Sequence, residues 1–495
     1  AREENRFGWQ HPMTFTNWVT TDPLTHPGEP TFEEDMVSVD ATKIENVNWG
    51  AGYFASYHVY PYYPDFFRLD TTLRTVTNSQ GQPDPYKAYL RKLKAYHAGM
   101  PLMVTEFGVP SSVGIGHLEN LGRTQGGHTE EEQGQINAQL FETIVAEKYA
   151  GAILFSWQDE WFKKTWNTME FEVPDRRAYW LNELSNEQKF GVIYMGPSKD
   201  GVIVIDGKPD DWRELPAEEK KQLYADHPLI HEMWAAHDEA YLYLLFDFKQ
   251  PFSPREKTLY IGVDTLPGGN RRASQLGTFT LDEGLEILVS LGNGRDSMVY
   301  AAANYDIHTR VYGKHWKMFP VSAAEIAENS GIFKPWKLAV GLLMEPPDTK
   351  VHHPFEEVIV GKMIRGTNDP AQPVFNSLAM WQAEGNIVEV RIPWALLGFS
   401  DPSTLQVIGY EEDENGIPVS ETTQGIRLLP WIRDNSSGEV SGLAGKPVSV
   451  KQLPLYTWEQ WNEVQYTERK KQSYDIMKEA FIRNRENWTP PDSDQ

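Results

Sequence analysis

The sequence predicts an α/β unit with parallel strands, followed by an antiparallel β-sandwich and a C-terminal helix. Residues 1–188 alternate strand-like and helix-like segments, and such alternation is typical of parallel β/α units. From residue 189 to about 455, short strands with alternating hydrophobicity are separated by Gly, Pro and Asp turns, as in a β-sandwich. Residues 456–495 have the composition of a helical tail. These three segments are the predicted domains.

The first unit contains four candidate strands and two candidate helices. Thr129 is a plausible N-cap for the second helix, because three glutamates follow it in the first turn. Four β/α units make half of an eight-stranded barrel and leave two open sheet edges. We therefore expect an upstream segment or a partner chain to complete the barrel. Strands are predicted over residues 13–19, 53–60, 102–107 and 152–157, and helices over residues 85–97 and 130–149.

Composition limits the classes of ligand. The chain has 495 residues and a formal net charge of −24, which argues against nucleic acid or an anionic membrane as a partner. No stretch approaches the ~18 consecutive apolar residues of a membrane span. The absence of cysteine excludes disulfides, thiolate metal sites and cysteine nucleophiles. The 17 Trp, 22 Tyr and 22 Phe favour a carbohydrate ligand, although large cores also use aromatic residues.

Glu106 stands at the C-terminal end of the third predicted strand, within Pro-Leu-Met-Val-Thr-Glu-Phe-Gly. In a parallel barrel this position points into the mouth of the active site. Burying a carboxylate there costs free energy, so its presence suggests a functional role. Glycoside hydrolysis is one such role, because it uses two carboxyl groups beside the scissile bond. The alternative is a structural acid paired with an arginine.

The other strand ends carry hydrogen-bonding and aromatic side chains that suit a sugar site. We expect His58 or Tyr60 to hydrogen-bond Glu106, and Trp157 to stack under a sugar ring. Ordinary alternatives exist for several of them, since Trp157 can be a core residue and the acids after it can form salt bridges. The candidate substrate-binding residues are Asn17, Trp18, Asp22, His58, Tyr60, Trp157, Asp159 and Glu160.

Residues 101–108 and 151–157 resemble the seventh and eighth strands of clan A retaining glycoside hydrolases, whose fold is a TIM barrel. The resemblance covers about residues 1–185 and makes the two preceding strands the fifth and sixth. It implies that Glu106 is the nucleophile of a double displacement on an oligo- or polysaccharide. The acid/base of the clan, a Glu after Asn at the end of the fourth strand, has no counterpart, because Asn17 is followed by Trp18. We therefore expect the acid/base outside this chain.

Four segments of the second half are together similar to the family 9 carbohydrate-binding module and its relatives. They are residues 204–212, 235–243, 259–264 and 388–399. Some of these relatives bind sugar and calcium, others bind haem, and others are structural.

This resemblance leaves several ligands open for the sandwich. Calcium prefers oxygen ligands, although Asp-Gly turns also occur without a metal. Haem needs an axial pair such as His237 with a methionine. The candidate calcium ligands are Asp206, Asp210 and Asp264, and the candidate sugar platforms are Trp212, Trp234 and Trp381.

The leading prediction is an extracellular or cell-surface glycoside hydrolase that needs no cofactor. Its partners would be a carbohydrate and the chain or segment that completes the barrel, with no nucleic acid and no membrane span. Two alternatives from other classes are a non-catalytic carbohydrate-binding or scaffold protein with a degenerate barrel, and a haem-binding sandwich module.

Overall fold

The computed structural model describes residues 2–28, 38–45, 47, 49–225, 227–294 and 297–485. Within them the protein is mixed α/β, with many strands and few helices. The predicted coarse fold class, α/β followed by β-rich structure, agrees with this organisation.

A four-stranded parallel sheet, in the order β1-β2-β3-β4, lies at the centre of the N-terminal region. Its register pairs Trp18 with His58 and His58 with Glu106, so the carboxyl ends of the first three strands lie side by side. The third strand has the predicted bounds, whereas the other three are shorter than predicted. The strands are β1 (Thr16–Trp18), β2 (Ala55–His58), β3 (Leu102–Phe107) and β4 (Gly151–Leu154).

The helices beside this sheet begin at capping residues. The Asp84 side chain accepts a hydrogen bond from the Lys87 N–H at the start of α2 (Pro85–Tyr96), and Pro85 occupies the first turn. Thr129 and Glu132 form a reciprocal capping box at the start of α3 (Glu130–Ala146). Both helices bury apolar side chains in one cluster with the sheet. The helices are α1 (Arg2–Phe7), α2 (Pro85–Tyr96), α3 (Glu130–Ala146), α4 (Asp210–Glu214) and α5 (Gln472–Arg483).

Two large sheets, antiparallel except for one edge pair, contain most of the remaining strands and contribute to one buried cluster. Three smaller antiparallel sheets accompany them, with the orders β13-β14, β18-β19-β20 and β24-β5. One has the order β12-β11-β10-β9-β21-β22, with β23 also on β21, and the other has the order β15-β16-β17-β8-β7-β6. The strands from β5 onward are β5 (Ile193–Pro197), β6 (Lys221–Tyr224), β7 (Ile230–His237), β8 (Tyr241–Phe248), β9 (Lys257–Asp264), β10 (Ile287–Leu291), β11 (Met298–Ala302), β12 (Phe333–Pro335), β13 (Lys337–Gly341), β14 (Glu356–Ile359), β15 (Ile364–Arg365), β16 (Ala379–Glu384), β17 (Ile387–Pro393), β18 (Phe399–Asp401), β19 (Gln406–Glu412), β20 (Pro418–Thr422), β21 (Ile426–Asp434), β22 (Val440–Ser441), β23 (Leu455–Tyr456) and β24 (Tyr466–Lys470).

The C-terminal tail is helical only in part. We expected a helical tail over residues 456–495, with helix over residues 458–488, but β24 runs antiparallel to β5 and the helix α5 begins only at Gln472. The last residues of the predicted tail, 486–495, lie outside the described residues. The helix α5 packs closely on α3, where a Cβ at Gly134 would stand 2.8 Å from the Ser473 Cα. The tail therefore joins the N-terminal unit to the start of the sandwich.

Lys471, directly before α5, forms a buried ion pair with Asp159. Its Nζ lies 2.7 Å from the Asp159 Oδ1, and the two side chains are 1% and 0% exposed. The ammonium also donates to the Ser111 Oγ and the Lys189 carbonyl, both at 3.1 Å. Burial raises the pKa of the Asp159 carboxyl and lowers that of the Lys471 ammonium. The pair costs solvation energy, and its hydrogen bonds offset that cost only while both partners are present.

Replacing Lys471 with methionine should lower the free energy of unfolding by about 3–5 kcal/mol, because it leaves the Asp159 carboxylate buried and unpaired. Denaturant unfolding followed by tryptophan fluorescence measures the change. The control is Arg483→Ala, which removes an exposed ion pair with Glu142 and should change stability by less than about 1 kcal/mol. Equal effects of the two substitutions would contradict the prediction.

Candidate active site

Glu106 lies at the C-terminal end of β3 with one carboxylate oxygen held by two neighbours. Its Oε2 accepts a hydrogen bond of 2.8 Å from the Tyr60 hydroxyl and lies 3.1 Å from the His58 Nδ1. The Glu106 side chain is 28% exposed, so solvent still reaches it. Among the residues that the structure describes, no arginine or lysine pairs with this carboxylate. The expected alternative of a structural Arg–Glu pair therefore does not describe Glu106.

The local sequence explains this placement. β2 ends opposite Glu106, and the Val59 N–H extends the pairing by donating to the Glu106 carbonyl at 2.9 Å. His58 and Tyr60 are two positions apart, a spacing that puts both side chains on the same face of an extended segment. Gly108 has φ 152°, and a Cβ there would stand 2.6 Å from the Phe155 carbonyl oxygen. Glycine after Glu-Phe thus permits the close approach of the chain following β4.

Electrostatics distinguish the two groups that hold Glu106. Burial raises the pKa of the Tyr60 phenol well above its usual value, and the neighbouring Tyr62 and Glu106 add to that rise. Burial also lowers the pKa of the His58 imidazole, whereas the charge of Glu106 raises it. Tyr60 is consequently a neutral donor at ordinary pH, and His58 is the group whose charge depends on Glu106.

Aromatic rings surround the Tyr60–Glu106 contact. Tyr60 packs against Tyr62 with ring centroids 5.5 Å apart, and against Phe190 at 6.0 Å. Phe190 in turn contacts Phe155 at 5.1 Å. The indole of Trp157 is 66% exposed and meets Tyr474 edge-on at 6.3 Å. The exposed indole follows β4 and the partly open carboxylate lies at the end of the neighbouring strand β3.

Other predicted site residues have different surroundings. Asn17 is buried, and its Nδ2 donates to the Val39 carbonyl at 2.8 Å. Trp18 is 42% exposed and lies 6.0 Å from the ring of Tyr63.

The three predicted acids outside β3 have partners of their own. Asp22 is buried and accepts a hydrogen bond of 2.6 Å from the Tyr89 hydroxyl. Asp159 forms the ion pair with Lys471 described above. Glu160 lies 3.7 Å from the Lys163 Nζ. The geometry therefore does not bring Asp22 or Asp159 to Glu106. Glu160 is linked to the surroundings of the site through Lys163, whose Nζ lies 4.9 Å from the Phe155 ring centroid, and through its N–H, which donates to the Gln188 carbonyl at 3.0 Å.

The candidate calcium ligands are each engaged locally. Asp206 accepts from the Lys208 N–H at 2.9 Å, Asp210 pairs with Arg213 at 3.2 Å and Asp264 pairs with Arg427 at 3.4 Å. In the described part of the chain, no group of three or more His, Asp or Glu side chains is arranged to hold a metal ion.

The sandwich candidates for haem and sugar are mostly enclosed. The His237 Nδ1 lies 2.8 Å from the Tyr456 hydroxyl, and its ring packs against Trp458 at 5.4 Å. Trp212 and Trp381 are buried in the core, whereas Trp234 is partly buried.

Sequence reasoning missed the residues that loops bring to this site. Glu187 and Phe190 come from the turn before β5, and Gln125 from the long connection between β3 and α3. No periodic pattern marks these segments.

Comparisons with known protein families and with curated proteins find no match for this chain. Across the described residues, every helix is too short or too polar to cross a membrane.

Replacing Glu106 with glutamine should lower the pKa of His58, because it removes the negative charge that favours the imidazolium. NMR titration of the imidazole, assigned with a His58→Asn variant, measures the change. Glu160→Gln is the control and should leave the titration of His58 unchanged. An unchanged or increased pKa of His58 in Glu106→Gln would contradict the geometry.

Proposed function

We propose that this protein is a glycoside hydrolase that acts on an oligo- or polysaccharide by retaining double displacement, with Glu106 as the nucleophile. The observation that carries the proposal is a partly open carboxylate at the carboxyl end of a parallel strand, with one oxygen held by Tyr60 and His58. In the proposal, the four parallel strands correspond to the last four strands of a TIM barrel. The antiparallel sheets correspond to a family 9-like carbohydrate-binding module.

The contacts of Glu106 suit a nucleophile. In the first step a carboxylate oxygen bonds to the anomeric carbon while the bond to the leaving oxygen breaks. The hydrogen bond from Tyr60 restrains rotation of the carboxylate. His58 beside the same oxygen adds a second polar contact. Because Oε2 has both of these contacts, Oε1 is the oxygen we assign to attack.

The remaining side chains of the site support a sugar substrate. Trp157 offers an exposed aromatic face, and the Tyr60, Phe155 and Phe190 rings form an apolar wall beside Glu106. A retaining mechanism also needs a second carboxyl group about 5–5.5 Å from the nucleophile. The resemblance implies that it lies in an upstream segment or a partner chain. A polysaccharide substrate favours an extracellular or cell-surface location.

Incubation with a panel of 2-deoxy-2-fluoro glycosyl fluorides should add one fluorosugar to a peptide that contains Glu106, because the fluorine slows hydrolysis of the glycosyl-enzyme. Intact-protein and peptide mass spectrometry detects the label. Glu106→Gln should prevent labelling, whereas Glu131→Gln, which changes an exposed helix acid, should not. Labelling at another residue, or none with any sugar of the panel, would refute Glu106 as the nucleophile.

Trp157→Ala should raise KM about two- to tenfold with a smaller effect on kcat, in line with the ~0.5–1.5 kcal/mol of an aromatic contact. Trp157→Phe should restore most of the loss. The exposure of this indole predicts little change in stability, which thermal unfolding checks. Trp316→Ala, which removes another exposed indole, serves as the control. An unchanged KM in Trp157→Ala would exclude the sugar platform.

A further inference from the structure

A cavity in the second half of the chain has the size and the lining of a ligand site. Its volume is about 440 Å³, within the ~300–1,000 Å³ range of small-ligand pockets. The start of a π-helix (His308–His315) and the strands β12, β13 and β14 contribute to its wall. The wall contains no residue of the four segments that resemble a carbohydrate-binding module, and none of the tryptophans expected there as sugar platforms.

Part of this wall is aromatic. The rings of Phe319 and Phe355 have centroids 5.6 Å apart and an interplanar angle of 31°. His308 stacks on Phe319 at 5.4 Å, and Tyr312 packs against Phe355 at 5.1 Å. His308 and Tyr312 are buried, whereas the two phenylalanines stay partly exposed. The buried rings therefore hold two apolar faces in place at the edge of the cavity.

The rest of the wall carries paired polar groups. The Glu357 Oε2 lies 2.6 Å from the His308 Nε2, and the Glu357 Oε1 accepts a hydrogen bond from the Lys337 Nζ. The Lys334 Nζ donates to the Thr309 Oγ1 at 2.9 Å. The side chains of Lys334, Lys337 and Glu357 are 22%, 29% and 35% exposed, so a ligand can reach groups that are already held in position.

The charges of the wall favour a neutral ligand. Two ammonium groups, of Lys334 and Lys337, face two carboxylates, of Asp306 and Glu357, so these formal charges cancel. An anion would be repelled by the carboxylates and a cation by the ammonium groups. An ammonium only donates hydrogen bonds and a carboxylate only accepts them, whereas a hydroxyl does both. The adjacent Lys337 and Glu357 therefore match a ligand with neighbouring hydroxyl groups.

We propose that this cavity binds one neutral sugar residue of a glycan. A sugar ring has both of the required surfaces, since its C–H groups form an apolar face and its hydroxyls project from the edge. The π-helix that supplies His308 and Thr309 supports a functional role, because π-helical turns are rare and frequently occur at functional sites. The proposal goes beyond the role of Glu106 and does not require Glu106 to be a nucleophile.

A second cavity of similar size lacks these features. Its volume is about 450 Å³, and its wall includes Lys199, Asp211, Glu214 and Glu219. Among the described residues, no aromatic ring lines it, and three carboxylates face one ammonium group. Size alone therefore does not distinguish the proposed sugar site, whereas the rings and the balanced charges do.

The proposed sugar site is attached to the unit that contains Glu106. Consecutive side chains of a strand point to opposite faces, and on β14 these are Glu356 and Glu357. Glu357 lines the cavity, whereas the Glu356 Oε1 accepts from the Arg68 Nη1 at 3.1 Å, in the turn after β2. A polysaccharide that enters the cavity is thereby held beside the N-terminal unit.

Native affinity electrophoresis of the full chain tests the proposal, with Glu106→Gln present to prevent hydrolysis. The gels contain arabinoxylan, galactomannan, xyloglucan or dextran, and polygalacturonate is the acidic probe. At least one neutral polysaccharide should retard the protein. Phe319→Ala should then raise its Kd about two- to tenfold through loss of one aromatic contact. Glu357→Gln should raise the Kd about tenfold or more, because it removes a charged acceptor.

Two matched controls accompany these variants. Phe481→Ala removes a ring of α5 that is 41% exposed, and Glu131→Gln removes an exposed helix acid. Neither should change the Kd.

Chemical modification gives a readout that does not depend on the folding of a cavity variant. Bound polysaccharide should protect the Lys337 ammonium of the Glu106→Gln protein from acetylation. Lys43, which is 81% exposed, should be acetylated at the same rate with and without polysaccharide. Peptide mass spectrometry measures both rates, and a lack of protection at Lys337 would overturn the proposal even if Phe319→Ala fails to fold.

The outcomes separate this proposal from the proposed glycosidase function. If no neutral polysaccharide retards the protein, or if Phe319→Ala and Glu357→Gln keep the Kd of one that does, the cavity is not a sugar site. Tighter binding of polygalacturonate that is weakened by Lys337→Gln would reject a neutral ligand. Binding in the cavity without fluorosugar labelling of Glu106 supports this proposal and refutes the glycosidase function, and labelling without such binding has the reverse meaning.

Discussion

The connection between Lys471 and Asp159 is the constraint on which the N-terminal region depends. Asp159 follows β4 at the edge that also carries Glu106, and Lys471 arrives from the C-terminal tail after the whole sandwich. Nearby, the Arg469 Nη2 lies 2.6 Å from the Glu130 Oε1, and β24 pairs antiparallel with β5. Removing either partner of a buried ion pair leaves the other charge buried and unpaired, which is strongly destabilising. The tail is thus held to the first unit by two ion pairs and by the packing of α5 on α3.

The candidate site holds Glu106 through one of its carboxylate oxygens. The Glu106 Oε2 accepts a hydrogen bond from Tyr60 and lies beside His58, while the side chain stays partly open to solvent. Burial raises the pKa of the Tyr60 phenol, so it is a neutral donor at ordinary pH. The end of β3 and the extended segment after β2 therefore fix both the position and the hydrogen-bonding surroundings of this carboxylate.

The features that were predicted from the sequence depend on residues close together in the chain. The strand Leu102–Phe107 was predicted with its observed bounds, because an apolar run ends there at a polar residue and a glycine. The capping box of α3 was visible as Thr129 followed by glutamates. The position of Glu106 next to His58 and Tyr60 followed from the parallel order of the strands, which is a simple topological rule.

Long-range contacts account for what the sequence did not reveal. Asp159 was expected to bind substrate, but its partner lies 312 residues later in the chain. Residues Tyr466–Lys470 were expected to be helical, yet they pair with β5, and no nearby residue indicates that pairing. The sequence did not indicate Glu187, because this residue lies in the short turn Asn186–Lys189 and not in a strand or helix with a regular hydrophobic pattern.

The crossing of the tail onto the first sheet has a consequence for synthesis on the ribosome. Domains generally fold as units while the chain emerges from its N-terminus. Here Asp159 forms its ion pair with a residue that is translated 312 residues later, after the strands of the sandwich. The buried contacts that Asp159 and α3 make with the tail are therefore completed only after the second unit has been synthesised.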